Sequence, residues 1–245
     1  MSPAAVALLF GLVVFVTHFI QGVTGFGCAI LAMPFCILLV GIGVARPVLT
    51  VLAFILDVYL LVLSWKKVDW RQYLHILLFV LPGLPVGMIA YNVLPGTILQ
   101  RVLAVFMVIV GVQGLLAQTR SRKAAPRAWP TWLLDVLLFL GGAIQGAFTS
   151  GGPPVIIYAT QKIKDKGAFR ATLVAIWTTL NVFIIGDIMH RHELSGLAGH
   201  LVLSSLPFLA LGGLLGDLAH RRISGEAFSW LIYAVLLVSA VFMAL

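Results

Sequence analysis

Charged side chains are scarce in this 245-residue sequence. Asp, Glu, Lys and Arg together make up only 10% of it, whereas 61% of the residues are hydrophobic and the mean hydropathy is +1.10. A soluble domain carries about 25% charged residues and is less than half apolar. A chain of this composition would expose large apolar surfaces in water. The composition therefore predicts an integral membrane protein whose solvent is the lipid bilayer.

The sequence also lacks the patterns of the common enzyme and cofactor sites. It has no phosphate-binding loop, no HExxH and no GxSxG, and its two cysteines, Cys28 and Cys36, share one apolar segment. Two thiols alone make a weak metal site, and small buried apolar residues are the simpler interpretation of this pair. The net charge of +8 comes from cations in short loops rather than from a basic stripe, which argues against a nucleic-acid partner. We predict no enzyme activity, no metal and no cofactor.

Apolar stretches recur along the whole chain. They cover residues 4–20, 28–45, 47–65, 73–93, 97–117, 132–149, 153–161, 168–189, 197–219 and 225–245. Most are near the roughly 20 residues that a helix needs to cross the hydrocarbon core. The nine residues between Gly152 and Lys162 are too few, which predicts a re-entrant half-helix there. Whether the stretch 28–45 is also re-entrant or crosses fully stays open.

The two halves of the chain resemble each other at an offset of 124 residues. This offset places Gln21-Gly22 on Gln145-Gly146, Gly27 on Gly151 and Arg46 on Arg170, and Asp57 falls on Asn181. Further on the offset becomes 125, which pairs Pro82 and Gly87 with Pro207 and Gly212. We interpret the pattern as an internal duplication.

The duplication predicts an all-α polytopic membrane protein made of two inverted repeats. Each repeat is a re-entrant helical hairpin (Ala4 to Ala45, then Leu133 to Gly167) followed by three transmembrane helices. The first repeat covers residues 1–118, a cytoplasmic linker covers 119–130, and the second repeat covers 131–245. An odd number of crossings in the first repeat inverts the second.

The distribution of cations supports this topology through the positive-inside rule. Thirteen cations fall in the predicted cytoplasmic loops: Lys66, Lys67, Arg71, Arg120, Arg122, Lys123, Arg127, Lys162, Lys164, Lys166, Arg170, Arg221 and Arg222. The opposite face keeps Arg46, Arg101 and Arg191. Both termini then lie on the outer side.

Two glycine-rich interruptions stand at matching places in the halves, residues 21–27 and 145–154. Paired Gly/Pro breaks of this kind indicate a transporter binding site, although glycines also serve close helix packing. Pro153 and Pro154 suit the first turn of the next helix, and a helix N-terminus favours an anion. The predicted substrate-binding residues are Gln21, Gly22, Thr24, Gly25, Gly27, Arg46, Gln145, Gly146, Thr149, Ser150, Gly151, Gly152, Arg170 and Asn181.

Ionisable residues inside apolar segments are further functional candidates. Asp57 is either a coupling site for a proton or cation, or a packing residue satisfied by a neighbour. His18, one turn before the first break, is either a second proton carrier or a hydrogen-bonded bundle histidine. Arg46 opens its predicted span, so it either serves the site or snorkels to the interface.

The two breaks also resemble the signatures of a known family. Gln21-Gly22-x-x-Gly25-Phe26-Gly27 followed by Pro34 is similar to the first signature of the TauE/SafE family of sulfite and organosulfonate exporters. Gly146-x-x-x-Ser150-Gly151-Gly152-Pro153-Pro154, followed by Phe169-Arg170-Ala171-Thr172, is similar to the second. Cys28 stands where many relatives carry another glycine.

The resemblance implies a secondary transporter of small anions in the bacterial inner membrane, where the distribution of cations places both termini in the periplasm. Sulfite, sulfoacetate, related sulfonates and carboxylates are the implied substrates. A passive anion channel and a non-transporting membrane subunit remain the competing classes. The expected partners are the small anion and the bilayer; a homodimer is compatible with the sequence, but no motif specifies it.

Overall fold

The computed structural model describes residues 2–119 and 129–220, and over these ranges the secondary structure is helical. The helices are α1 (Pro3–Thr24), α2 (Cys28–Val40), α3 (Ile42–Ser64), α4 (Trp70–Val93), α5 (Gly96–Thr119), α6 (Thr131–Phe148), α7 (Gly152–Lys162), α8 (Lys166–His190) and α9 (Leu197–His220). A short 3₁₀ turn, Trp65–Lys67, follows α3. The predicted linker, apart from its two ends, and the predicted last span at 225–245 lie outside the described residues.

Six of the described helices are long and apolar enough to cross a membrane. They are α1, α3 with its 3₁₀ extension, α4, α6, α8 and α9. Helix α2 has 13 residues and α7 has 11, which correspond to about 20 Å and 16 Å at 1.5 Å per residue. Both are shorter than the hydrocarbon core of about 30 Å. The chain is a multi-pass membrane protein in which two short helices each follow a longer one.

Helix α3 packs against α8 at the centre of the described structure, with α1 packed along α9 and α6 along α4. The helices of the last two pairs approach closely because glycines face the backbone of the partner helix. Gly83 and Gly87 of α4 lie against the carbonyls of Phe139 and Ala143, and Gly212 and Gly216 of α9 lie against those of Phe15 and Phe19. Small residues at membrane-helix interfaces permit this close approach.

These glycines correct one register of the predicted repeat. The carbonyls of Phe15 and Phe139 are 124 residues apart, but the glycines that meet them, Gly83 and Gly212, are 129 apart. The offset of 125 that pairs Gly87 with Gly212 is therefore wrong by four residues. Because glycines recur about one helical turn apart in both helices, the sequence pattern looks similar after a shift of one turn.

Replacing Gly87 by Ala tests the α4–α6 contact. The added methyl would overlap the Ala143 carbonyl, so we expect Gly87→Ala to destabilise the protein by about 1–3 kcal/mol, the usual cost of overpacking. Gly186→Ala is the matched control, because Gly186 is exposed on α8 with nothing within 4 Å of the added carbon. Thermal unfolding in detergent should separate the two variants. Equal midpoints would contradict the close contact.

Several predicted boundaries change in the structure, and two arginines change their environment. Gly41, with φ of 78°, separates α2 from α3, so the boundary lies five residues before the predicted one at Arg46. Arg46 is the fifth residue of α3, fully buried, and does not snorkel. Arg170 holds the same place in α8 and is 9% exposed, so it is no loop cation. The count of Arg170 as a loop cation is therefore wrong, and of the two alternatives for Arg46 the snorkelling one is excluded.

Candidate functional site

The two predicted breaks are shorter than the sequence indicates. Helix α1 continues through Gln21, Gly22 and Thr24, so only residues 25–27 are non-helical; α6 continues through Gln145 and Gly146, which leaves residues 149–151. The residue that follows each helix adopts a left-handed conformation, Gly25 with φ of 83° and Thr149 with φ of 53°. Such a residue ends a helix by turning its own N–H back to a carbonyl of the last turn.

Thr149 is a threonine where the first break has glycine. A positive φ is unfavourable for a β-branched residue and persists only where its surroundings fix it. The Thr149 hydroxyl lies 2.8 Å from the Thr50 hydroxyl of α3, in a buried contact. This contact ties the second break to the middle of the first half.

Four buried polar side chains connect the two halves in one chain of hydrogen bonds. Gln21 Nε2 donates to Asp57 Oδ1 at 2.6 Å, and Gln145 Nε2 donates to Asn181 Oδ1 at 3.0 Å. Asn181 Nδ2 donates to Asp57 Oδ2 at 3.4 Å, and this bond joins the Gln21–Asp57 pair to the Gln145–Asn181 pair. Each glutamine bonds a residue 36 positions further along, so the two bonds obey the 124-residue offset. Asp57 is the one carboxylate in this chain of four side chains.

Each buried arginine holds the end of the first helix in the opposite half. Arg46 Nη2 donates to the Gly146 carbonyl at 2.7 Å, and Arg170 Nη2 donates to the Gly22 carbonyl at 2.5 Å. These carbonyls lie in the last turn of α6 and of α1, where acceptors lack helical donors and the helix dipole is negative. A guanidinium donates a hydrogen bond to such a carbonyl and also carries the positive charge that this end of the dipole favours.

The surroundings of the two arginines differ. Arg170 also forms an ion pair of 2.7 Å with Asp217 of α9, close to the end of α1, where the Val23 carbonyl contacts the His220 ring. Arg46 instead lies over the Tyr91 ring at 3.8 Å from its centroid. Its nearest carboxylate, Glu193, is 4.0 Å away, beyond hydrogen-bond distance.

Glu193 belongs to the loop between α8 and α9 and is partly buried. Burial raises the pKa of its carboxyl, and the nearby Arg46 guanidinium opposes that rise. Because Glu193 lies beyond hydrogen-bond distance of Arg46, Nε and Nη1 of the guanidinium have no hydrogen-bond partners among the described residues. Arg170 is hydrogen-bonded to its carboxylate, whereas Arg46 only approaches Glu193 as a long ion pair of 4.0 Å.

The remaining predicted residues make local contacts. The Thr24 hydroxyl donates to the Ile20 carbonyl, and the Ser150 hydroxyl donates to the Phe148 carbonyl. His18 Nδ1 contacts the Val14 carbonyl of its own helix at 2.8 Å. These contacts hold the shape of the breaks and of α1, and none of them reaches Asp57.

Sequence reasoning missed the side-chain partners of the two arginines and of Thr149. Asp217, Tyr91 and Thr50 were not singled out, although an acidic residue at the end of an apolar stretch was a usable signal for Asp217. The 129-residue offset of the glycines also relates Tyr91 to His220, and both side chains lie close to an arginine contact. The predicted offset of 125 residues, four fewer than 129, does not bring Tyr91 and His220 into correspondence.

Comparisons with known proteins yield one finding. Neither the comparison with curated proteins nor the comparison with solved structures gives a match. The sequence pattern of the family described as sulfite exporter TauE/SafE matches residues 9–243, nearly the whole chain. This chain therefore belongs to the TauE/SafE family of membrane transporters.

Proposed function

We propose that this protein is a secondary transporter of small sulfur-containing or organic anions, such as sulfite, sulfoacetate or related sulfonates. It works by alternating access in the bacterial inner membrane, with both termini periplasmic. The anion binds between the two breaks, and transport is coupled to protons through Asp57. The family supports transport of an anion; the substrate, the coupling and the orientation are our proposals.

The observation that carries this proposal is the chain of hydrogen bonds from Gln21 through Asp57 and Asn181 to Gln145. Buried polar groups at membrane depth are costly and mark substrate or ion pathways. This chain joins the ends of α1 and α6, next to the two non-helical segments. Irregular backbone in a membrane protein is tolerated where it is buried or lines a watery cavity.

An inverted repeat accounts for the paired contacts. The glutamine bonds, the arginine bonds and the left-handed residues at 25 and 149 all keep the offset of 124 residues. In transporters built from inverted repeats, the site lies where the repeats meet and one half moves against the other. The arginine bonds cross between the halves, so a relative movement of the halves must change them.

Helix α2 provides donors for an anion, whereas α7 provides few, because Pro153 and Pro154 in its first turn have no N–H. No side chain caps α2, so the N–H groups of its first turn are free of capping side chains. Together with the dipole they favour negative charge. Asp57 accepts hydrogen bonds from both neighbouring amides and is the group that we assign to proton transfer; His18 is bonded within its own helix.

Flux in proteoliposomes tests the proposal and separates it from the competing classes. We expect labelled sulfite or sulfoacetate to accumulate transiently against excess unlabelled anion inside, which is counterflow. A channel gives flux without counterflow, because it does not change access with each anion. A subunit without transport of its own gives no flux until a partner is added. Either of these results would contradict the proposal.

A further inference from the structure

The two ends of the hydrogen-bonded chain are not equivalent. At the second break, Gln145 Oε1 accepts a hydrogen bond from the Gly151 N–H at 2.9 Å. At the first break, Gln21 is only 2% exposed, yet its Oε1 has no hydrogen-bond partner among the described residues. Because Gln21 Nε2 is committed to the Asp57 carboxylate, the other atom of the amide must be the acceptor oxygen. A buried acceptor without a donor costs free energy.

The backbone explains why the first break leaves this oxygen free. Gly27 is the counterpart of Gly151 at the 124-residue offset, but its φ is 97° whereas that of Gly151 is −69°. The backbone conformations of the two breaks therefore differ at this residue. The Gly151 N–H meets the glutamine of its own half, and the Gly27 N–H does not.

The first break also has space at Gly27 where the second has none at Gly151. Among the described residues, a side-chain carbon added to Gly27 would have no atom within 4 Å, whereas one added to Gly151 would overlap the Gly141 carbonyl of α6. Phe26 and Gly27 are partly exposed, and Gly151 is buried. The backbone of α6 encloses Gly151, and no described residue encloses Gly27 in this way.

The first turn of α2 lies next to the Gln21–Asp57 pair. Cys28 and Ala29 pack against Ala53 of α3, one turn before Asp57. The first helical hydrogen bond of α2 runs from the Leu31 N–H to the Gly27 carbonyl, so the N–H groups before Leu31 have no acceptor within the helix. The free donors of α2 and the free acceptor of Gln21 thus lie in the same part of the structure, around Ala53 and Asp57.

We propose that the first break, rather than the second, supplies the hydrogen-bonding groups that select the substrate, and that the substrate is a small oxyanion carrying its own O–H or N–H donor. The anionic oxygens accept from the first turn of α2, and the donor gives its hydrogen to Gln21 Oε1. This inference rests on the proposed function and specifies its ligand. An anion without a donor, such as the sulfoacetate dianion, leaves Gln21 Oε1 unsatisfied, so it binds more weakly than an anion that carries one.

Two anions that differ mainly in the donor test the inference. Isothermal titration of the full chain in detergent compares 2-hydroxyethanesulfonate with ethanesulfonate. We expect the hydroxylated anion to bind roughly tenfold more tightly, the difference made by one hydrogen bond to a buried acceptor. Gln21→Met should bring the ratio of the two Kd values to about one. Gln145→Met is the matched control: it removes the glutamine whose oxygen is already occupied, so it should weaken both anions and leave the ratio unchanged.

Equal affinity of the wild-type protein for the two anions would overturn the inference and leave the transport proposal intact. A ratio that persists in Gln21→Met, or that vanishes equally in Gln145→Met, would overturn it as well. If Gln21→Met does not fold, the ratio in the wild-type protein decides alone. Absence of binding and of counterflow for every anion would overturn the proposed function together with the inference.

Discussion

Replacing Asp57 by Asn should abolish accumulation driven by a proton gradient while leaving exchange of anions across the membrane measurable. The substitution removes the one ionisable group of the Gln21–Asp57–Asn181–Gln145 chain and keeps its shape. The new amide oxygen can still accept from Gln21 Nε2, but its NH₂ group meets the NH₂ group of Asn181, so one hydrogen bond is lost. We expect that loss to cost about 1 kcal/mol, which the fold should tolerate.

The measurement compares uptake with and without an inward proton gradient in proteoliposomes. Asp135→Asn is the control, because Asp135 is a partly exposed carboxylate bonded to His75 and outside the chain of four. It should keep the response to the gradient. A response that survives in Asp57→Asn would exclude Asp57 as the coupling residue.

Removing either buried arginine should destabilise the protein, but only one of the two losses should be recoverable. Arg170→Gln leaves Asp217 without its cation and the Gly22 carbonyl without its donor. Breaking a fully buried ion pair costs about 3–5 kcal/mol, and because Asp217 is only partly buried we expect a smaller loss here, largely from the charge that remains unpaired. Adding Asp217→Asn removes that charge, so the double variant should be more stable than Arg170→Gln alone.

Arg46 provides the matched comparison. Its nearest carboxylate, Glu193, lies 4.0 Å away, and the guanidinium is held by Tyr91 and the Gly146 carbonyl. Adding Glu193→Gln to Arg46→Gln should therefore recover little. Thermal unfolding of both cycles in detergent measures the two couplings. Equal recovery in both cycles would contradict the difference between the two arginine environments.

Much of the fold was predictable because lipid imposes simple rules on a sequence. Apolar runs of spanning length correspond to helices, and the start of α9 at Leu197 and the bounds of α7 were predicted to within one residue. Boundaries failed where a helix passes through polar or glycine residues, as α1 does at Gln21 and Gly22. Arg46 and Arg170 were placed at helix ends because charge is expected near water, whereas both are buried against carbonyls of the opposite half.

The sequence could single out candidate site residues but not their contacts. The offset of 124 residues brought Asp57 and Asn181 into correspondence, and the structure places them in contact. It could not indicate that the glutamines bond to them, since that depends on where α1 and α6 end. The difference between Gly27 and Gly151 was also hidden, because both are glycines and only their backbone conformations separate them.

The most direct test of a shared site between the halves exchanges the two central residues. Asn181→Asp alone puts a second carboxylate at the 3.4 Å contact with Asp57, where two like charges repel, and we expect it to abolish anion uptake. In Asp57→Asn combined with Asn181→Asp, Gln145 bonds to the new carboxylate at position 181. The new amide at position 57 accepts from Gln21 and donates to that carboxylate, so the original pattern returns with its halves exchanged. Uptake should recover substantially in this double variant, whereas undiminished uptake by Asn181→Asp alone would show that anions do not pass through this junction.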